Sequence, residues 1–514
     1  MEDYTVHSQD NSKRIAKNTM MLYVRTFLIM LVTLYTSRAV LQILGVEDFG
    51  IYDVVGSVVT MFSFINLSMA TATQRYLNYE LGKGSYDSLR TVFNTSIIIH
   101  GAIAIIILIL GETAGLWFLQ NKMQIPDGRT EAVFWVYQIS LLSSLITFMN
   151  VPYNAAIIAH EKMSAFAYIA ILEVIGRLLV VYLLLLIPYD KLILYAIFTC
   201  FVQIIIRLIY RSYCRRRFME TRYSFMWDKR LFYNMLSFCG WNLFGNIAYV
   251  CLTQGTNVLL NMFFMPVVNA AKGISFQVQL AITNLNQNFQ MAVNPQIVKS
   301  YATNDMSYMH KLIFLNSRLS FYLVLLLSLP ILLETNMILD LWLKHIVPDY
   351  SVVFVQLSMV IVLFQALAYP LITGNAATGN VRGLMVTVGV MFWMVIPLSY
   401  WGLKLGGDPT TVFWVQIGLM SVAHIVRIGI VGKQLGFSFL DYYKESFARI
   451  LFVSIVCIIP PFTVRCLMDE SWIRFFLSIS TAVLSVGIAV FFIGLTQEEQ
   501  KTAKKFITQK IARQ

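Results

Sequence analysis

Four cations carry most of the chemical information in this sequence: Arg25, Arg75, Lys272 and Arg318. Each falls inside or beside a long apolar stretch, and two of them lie on lines of polar side chains. In the second apolar stretch Asp53, Ser57, Thr60, Ser63, Thr71, Arg75 and Asn78 recur mostly at three- and four-residue steps. That spacing puts them on roughly one helical face. The seventh stretch repeats the pattern with Asn242, Asn246, Tyr249, Thr253, Asn257 and Asn261. The eighth does so with Asn269, Lys272, Ser275, Gln279, Thr283, Gln287, Gln290 and Asn294. Arginine matches phosphate oxygens with a planar fork and lysine supplies a mobile point charge, so converging cations point to binding of an anion. Asn242, Asn246, Gln279 and Gln287 are then expected to line the same polar cavity.

A charge at the centre of a bilayer costs about 3 kcal/mol on insertion scales, so each such cation must pair, snorkel or line water. Arg38, Arg207, Arg427 and Arg449 lie near the ends of their apolar stretches, where snorkelling is the better reading. Arg177 follows Glu173 by four residues and is expected to pair with it. Among the acids, Asp53 sits best on a polar face. It is a candidate for proton or sodium coupling, with an ion pair to Arg38 as the plainer role.

Hydrolytic, nucleotide and metal chemistry leave no trace. There is no Walker A segment, no G-x-S-x-G, no H-E-x-x-H and no C-x-x-C. Cys200, Cys214, Cys239, Cys251, Cys457 and Cys466 are expected to be free thiols. His100 and His424 read as satisfied buried histidines. No catalytic residue, metal site or cofactor is expected. An acyltransferase would show an intramembrane His with a polar partner, and a polymerase a large polar outer loop.

The elements that position these residues are helices. The chain has 514 residues, 58% apolar and 13% charged, with mean hydropathy +0.67. Globular domains carry about twice that charge, so the expected class is an all-α integral membrane protein. Taken in order, the apolar stretches give about fourteen candidate spans of roughly 20 residues. Residues 1–17 read as a polar cytoplasmic tail without a cleaved signal, the first span serving as anchor. Spans one to six occupy 18–213, a basic linker 214–230, spans seven to twelve 231–435, and a further pair 443–495. The two six-helix halves each open with a long pair carrying a polar face. They are expected to form pseudo-symmetric lobes around a central cavity at mid-membrane. Pro152, Pro295, Pro330, Pro370, Pro397 and Pro460-Pro461 fall within spans and are expected to bend them.

Lys and Arg concentrate in segments on the side of the N-terminus, above all Arg211, Arg215, Arg216, Arg217, Arg222, Lys229 and Arg230. Both termini are therefore expected in the cytoplasm. The net charge of +12 is then a topology signal with attraction to anionic lipid, not a nucleic-acid footprint. After Gly494, Thr496-Gln497-Glu498-Glu499 forms a capping-box pattern. Residues 496–514 continue as a basic amphipathic helix for the membrane surface.

Ser37-Arg38-Ala39-Val40-Leu41, leading into Leu44-Gly45-Val46-Glu47-Asp48-Phe49-Gly50-Ile51-Tyr52, resembles the first-helix end and turn of bacterial polysaccharide flippases. Ala72-Thr73-Gln74-Arg75-Tyr76-Leu77, before Glu80-Leu81-Gly82-Lys83-Gly84, resembles the end of their second helix. Gly374-Asn375-Ala376-Ala377-Thr378-Gly379-Asn380 resembles their segment between spans ten and eleven. These are the O-antigen and capsule repeat-unit exporters of the multidrug/oligosaccharidyl-lipid/polysaccharide superfamily. The resemblance implies twelve core helices plus two. It implies export of an undecaprenyl-diphosphate-linked oligosaccharide across the bacterial inner membrane by alternating access, with Arg25, Arg75, Lys272 and Arg318 on the headgroup. It further implies membrane lipids, a polysaccharide polymerase and chain-length proteins as partners. Two alternatives use related scaffolds: a lipid-linked peptidoglycan precursor flippase, and a cation-coupled multidrug antiporter, for which cavity acids would be expected.

Overall fold

The computed structural model describes residues 18–121, 128–343 and 347–501, apart from 34, 37, 38, 41, 46, 47, 49, 50, 53, 54, 56–62, 225, 227 and 265. Among the described residues there is no strand. They fall into two compact units, one running to Leu243 and the other from Phe244. The helices are, in order, α1 (Asn18–Thr33), α2 (Ser63–Lys83), α3 (Tyr86–Leu110), α4 (Leu116–Asn121), α5 (Thr130–Phe148) and α6 (Val151–Ala159). Then come α7 (Met163–Leu183), α8 (Lys191–Arg217), α9 (Lys229–Phe263), α10 (Pro266–Ala302), α11 (Met306–Leu333) and α12 (Thr335–Leu343). The last are α13 (Ser351–Thr378), α14 (Arg382–Lys404), α15 (Thr411–Leu435), α16 (Phe439–Tyr442), α17 (Ala448–Leu467) and α18 (Trp472–Ala489).

Among the described residues eleven helical stretches are long and apolar enough to cross a membrane. Of the fourteen expected spans, the first two are described only in part, and the eighth, α10, carries a polar face. Apolarity alone therefore supports eleven spans. The chain is a multi-pass, all-helical membrane protein.

Local chemistry sets the helix ends. Asp190 caps α8 by accepting the backbone N–H groups of Leu192 and Ile193, and Asp305 caps α11 through Tyr308. Span four divides at Met149-Asn150, with Pro152 in the first turn of α6, where its missing N–H costs nothing. Pro295, Pro330, Pro370, Pro397 and Pro460-Pro461 lie inside α10, α11, α13, α14 and α17. Helix α15 ends at Gly436 in the left-handed region (φ +80°), its N–H returning to the Gly432 carbonyl at 2.8 Å.

In the first unit the core joins α3, α5 and α8, with Ile107, Val133, Val136, Tyr137, Leu141 and Leu192 almost fully buried. A π-helical turn, Gly111–Gly115, follows α3, and Tyr137 donates to the Gly111 carbonyl at 2.7 Å. In the second unit Phe321, Leu325 and Leu329 of α11 pack against Ile450, Val453 and Cys457 of α17 and Ala482 and Val486 of α18. Ser485 donates to the Cys457 carbonyl at 2.8 Å, tying α17 to α18. Small and hydroxyl residues at such contacts let helices approach closely where water supplies no drive.

Candidate functional site

In the first unit Arg75 projects from α2 and is 8% exposed. Its guanidinium lies over three rings, at 4.5 Å from Tyr76, 4.9 Å from Tyr79 and 5.9 Å from Phe238. Ring faces carry negative potential and are worth about 0.5–2 kcal/mol each to a cation, so an aromatic cradle helps to hold this side chain in place. Arg25 of α1 lies 4.5 Å from the Phe166 ring of α7. Its Nε is buried without a partner, and Glu173 and Tyr210 act on it electrostatically. Glu173 is shared: it accepts from Arg177 at 2.7 Å, the expected four-residue pair, and from Gln203 at 2.9 Å.

Polar ties pin both ends of this unit. Arg129 bridges Asp48 and Asp190, each at 2.5 Å. At the opposite ends of the helices His160 meets Glu220 at 2.5 Å while its ring stacks on Phe218. There also Asn94 accepts the Ser224 N–H at 3.0 Å. Asn242 is buried and donates to the Phe238 carbonyl at 2.8 Å.

In the second unit the Lys272 ammonium donates to the Thr256 hydroxyl at 2.5 Å and the Thr253 carbonyl at 3.1 Å, both on α9. It is half-buried, and among the described residues it makes no ion pair. Further along α10 the polar face becomes glue. Gln290 donates to Ser320, Asn316 donates to Gln290 at 2.8 Å, and Ser320 returns to Asn316 at 3.3 Å, a closed buried ring with α11. Thr373 of α13 donates to Asn294 at 3.0 Å. Gln279 and Asn246 are half-buried, and Gln287 is exposed with its amide toward Tyr369.

Arg318, by contrast, is fully engaged at its fork. Nη1 donates to the Gly494 carbonyl at 3.1 Å and Nη2 to Glu499 at 2.6 Å. Glu499 also completes the expected capping box with Thr496, at 2.8 and 3.3 Å. Asp53, Arg38 and the tail from 502 onward lie outside the described residues. The Gly374–Asn380 segment is a helix-end clasp: Asn375 donates to Gln434 and to the Asn380 carbonyl, which Gln434 also reaches.

Two features escaped the reading of the sequence. Arg474 of α18 donates to Glu334 at 3.0 Å, both side chains buried, with Glu470 at 3.3 Å as a partly solvated second partner. The four-residue step from Glu470 was the available signal; Glu334 is far away in sequence. Arg427 and His424 also depart from expectation. Arg427 is buried rather than snorkelling, and neither ring nitrogen of His424 has a partner among the described residues. Packing of α16 against α15 encloses them.

The fold is all-helical among the described residues and sets cations on helices that lie within or between apolar spans. An outward-facing multidrug-resistance MATE transporter of the multidrug/oligosaccharidyl-lipid/polysaccharide superfamily superposes with TM-score 0.72 at 11% identity, over 83% of this chain and 96% of that one. The Vibrio cholerae MATE transporter VcmN in its bent form gives 0.65 at 14%, over 85% and 99%. At these identities the likeness is one of fold. No curated protein matches the chain. Residues 15–303 match the model of the polysaccharide biosynthesis protein family, more than half of the chain, and the protein belongs to that family.

Proposed function

We propose that this protein carries undecaprenyl-diphosphate-linked oligosaccharide repeat units from the inner to the outer leaflet of the bacterial plasma membrane, for surface polysaccharide biosynthesis. Lys272 carries this reading: an ammonium on a helix between apolar spans, held by a hydroxyl and a carbonyl and by no carboxylate among the described residues. No carboxylate among the described residues competes for this group, and a diphosphate supplies the complement. Arg75 and Arg25, whose acid is shared with Arg177 and Gln203, join it on the headgroup. Arg318 reaches the headgroup only in a state where Glu499 has released it. Asn242, Asn246, Gln279 and Gln287 hydrogen-bond the sugars, and Asp53 couples an ion.

By alternating access the cations meet the headgroup from the cytoplasmic side, where both termini lie, and release it outside. The lipid tail stays in the bilayer throughout. A membrane potential negative inside favours the outward step by about 2.3 kcal/mol per charge per 100 mV. The solved neighbours are drug transporters, and an organic cation would need free acids. Here Glu173, in the middle of its span, is bonded to Arg177, which favours the anionic substrate.

The test is reconstitution. Proteoliposomes holding a labelled undecaprenyl-diphosphate oligosaccharide are exposed to a membrane-impermeant glycosidase. The proposal expects the protected inner-leaflet half to become cleavable when the protein is present. A protected half that stays protected would rule out the flippase.

A further inference from the structure

The second unit contains a buried polar cluster with no part in the transport reading. His424 and Arg427 stand three residues apart on α15 and so share a face. Tyr442, at the end of α16, places its ring 5.9 Å from the His424 imidazole. Ser317 of α11 faces the Tyr442 phenol, and Arg427 acts electrostatically on both the phenol and the imidazole. All four are nearly sealed, with Ser317 at 0%, Tyr442 at 1%, His424 at 4% and Arg427 at 5% exposure. Among the described residues both His424 ring nitrogens and the Arg427 Nε have no hydrogen-bond partner.

Buried polar groups are almost always satisfied, and a buried guanidinium without a counter-charge is strongly destabilising. The acids nearest in sequence do not meet the need. Asp441 is taken by the Ser438 backbone N–H at 2.8 Å, and Glu445 faces outward. Packing does not relax the cluster either. Phe314 lies 5.8 Å from Tyr442 and 5.4 Å from Phe437, and Ser446 donates to the Phe314 carbonyl. Three helices therefore bring a guanidinium, an imidazole and two hydroxyls together, and among the described residues no carboxylate is bonded to the guanidinium. Water could bridge the hydroxyls, but it would not neutralise the charge.

We propose that Ser317, His424, Arg427 and Tyr442 form a buried binding site for one small monovalent anion, chloride in the cell. One guanidinium sets the charge, and the close approach of the side chains sets the size. The bound ion ties α11, α15 and α16 together, so it stabilises the unit rather than travelling with the substrate.

The full-length protein, purified and exchanged into gluconate, is titrated with chloride while Tm is followed, and crystals are grown in bromide for anomalous scattering. Expected are a saturable rise in Tm and an anomalous peak between Arg427, His424 and Tyr442. Arg427→Gln abolishes both. Tyr442→Phe and Ser317→Ala, which keep the shape should Arg427→Gln fail to fold, each weaken the chloride midpoint about tenfold, the effect of one charge-assisted bond. A Tm indifferent to chloride, no bromide peak at the cluster, or a midpoint unmoved in both conservative variants would overturn the proposal.

Discussion

The carboxylate of Glu499 lies 2.6 Å from Nη2 of Arg318, across 181 residues of chain. Its other oxygen accepts the backbone N–H of Thr496 at 2.8 Å. One side chain thus caps the last described helical turn and neutralises a cation that is 3% exposed. The final segment is in this way bonded to α11 and held beside α18.

Removing one partner of such a pair costs more than removing both, because a lone buried charge remains. Glu499 is partly solvated, which reduces the loss. Glu499→Ala is expected to lower stability by about 2–3 kcal/mol. The double change Arg318→Met with Glu499→Leu recovers more than half of that. Denaturation of the purified variants in a double-mutant cycle checks the coupling; strictly additive effects would contradict it.

The pair Glu334–Arg474 should be less forgiving, since both side chains are at most 8% exposed. Glu334→Gln is expected to cost about 3–5 kcal/mol, as breaking a buried pair does. Glu470→Gln, the solvated arm of the same arginine, should cost under about 0.5 kcal/mol. Tm measurements on the two variants side by side decide it, and equal losses would show that burial is not the governing term.

Lys272 separates function from stability. Its ammonium has two neutral partners and no counter-ion among the described residues, so Lys272→Met should leave Tm unchanged or raised. Export should nonetheless fall by about tenfold or more, the worth of one charge-assisted contact to phosphate. A variant that loses stability and keeps export would place the lysine among the structural residues.

Much of this was legible from spacing alone. The helical spans follow from apolar length, and Glu173–Arg177 and the Thr496–Glu499 cap follow from steps of four and three residues. Even the failure of α10 to look like an apolar span follows from its polar face. What spacing does not carry is which cation a distant acid has already claimed. Arg25, Arg75, Lys272 and Arg318 look alike in the sequence. Only packing sets Arg318 against Glu499 and leaves Lys272 with threonine oxygens. The polar face of α10 hid a similar division. Gln290 and Asn294 hold α11 and α13, whereas Gln279 stays half-buried and Gln287 exposed. Helical periodicity gives the face, but its use along the axis depends on the neighbours packed there.

The account stands on cations that handle an anionic lipid headgroup. The most direct measurement is the leaflet distribution of undecaprenyl-diphosphate-linked glycan in cells that lack this protein and any redundant exporter. The deletion strain is compared with cells carrying the intact chain or an equally expressed Arg75→Ala, Lys272→Ala version. Glycan held on the cytoplasmic side, released by the intact chain and not by the double variant, is the predicted result. Normal export without the protein, or full rescue by the double variant, would contradict it.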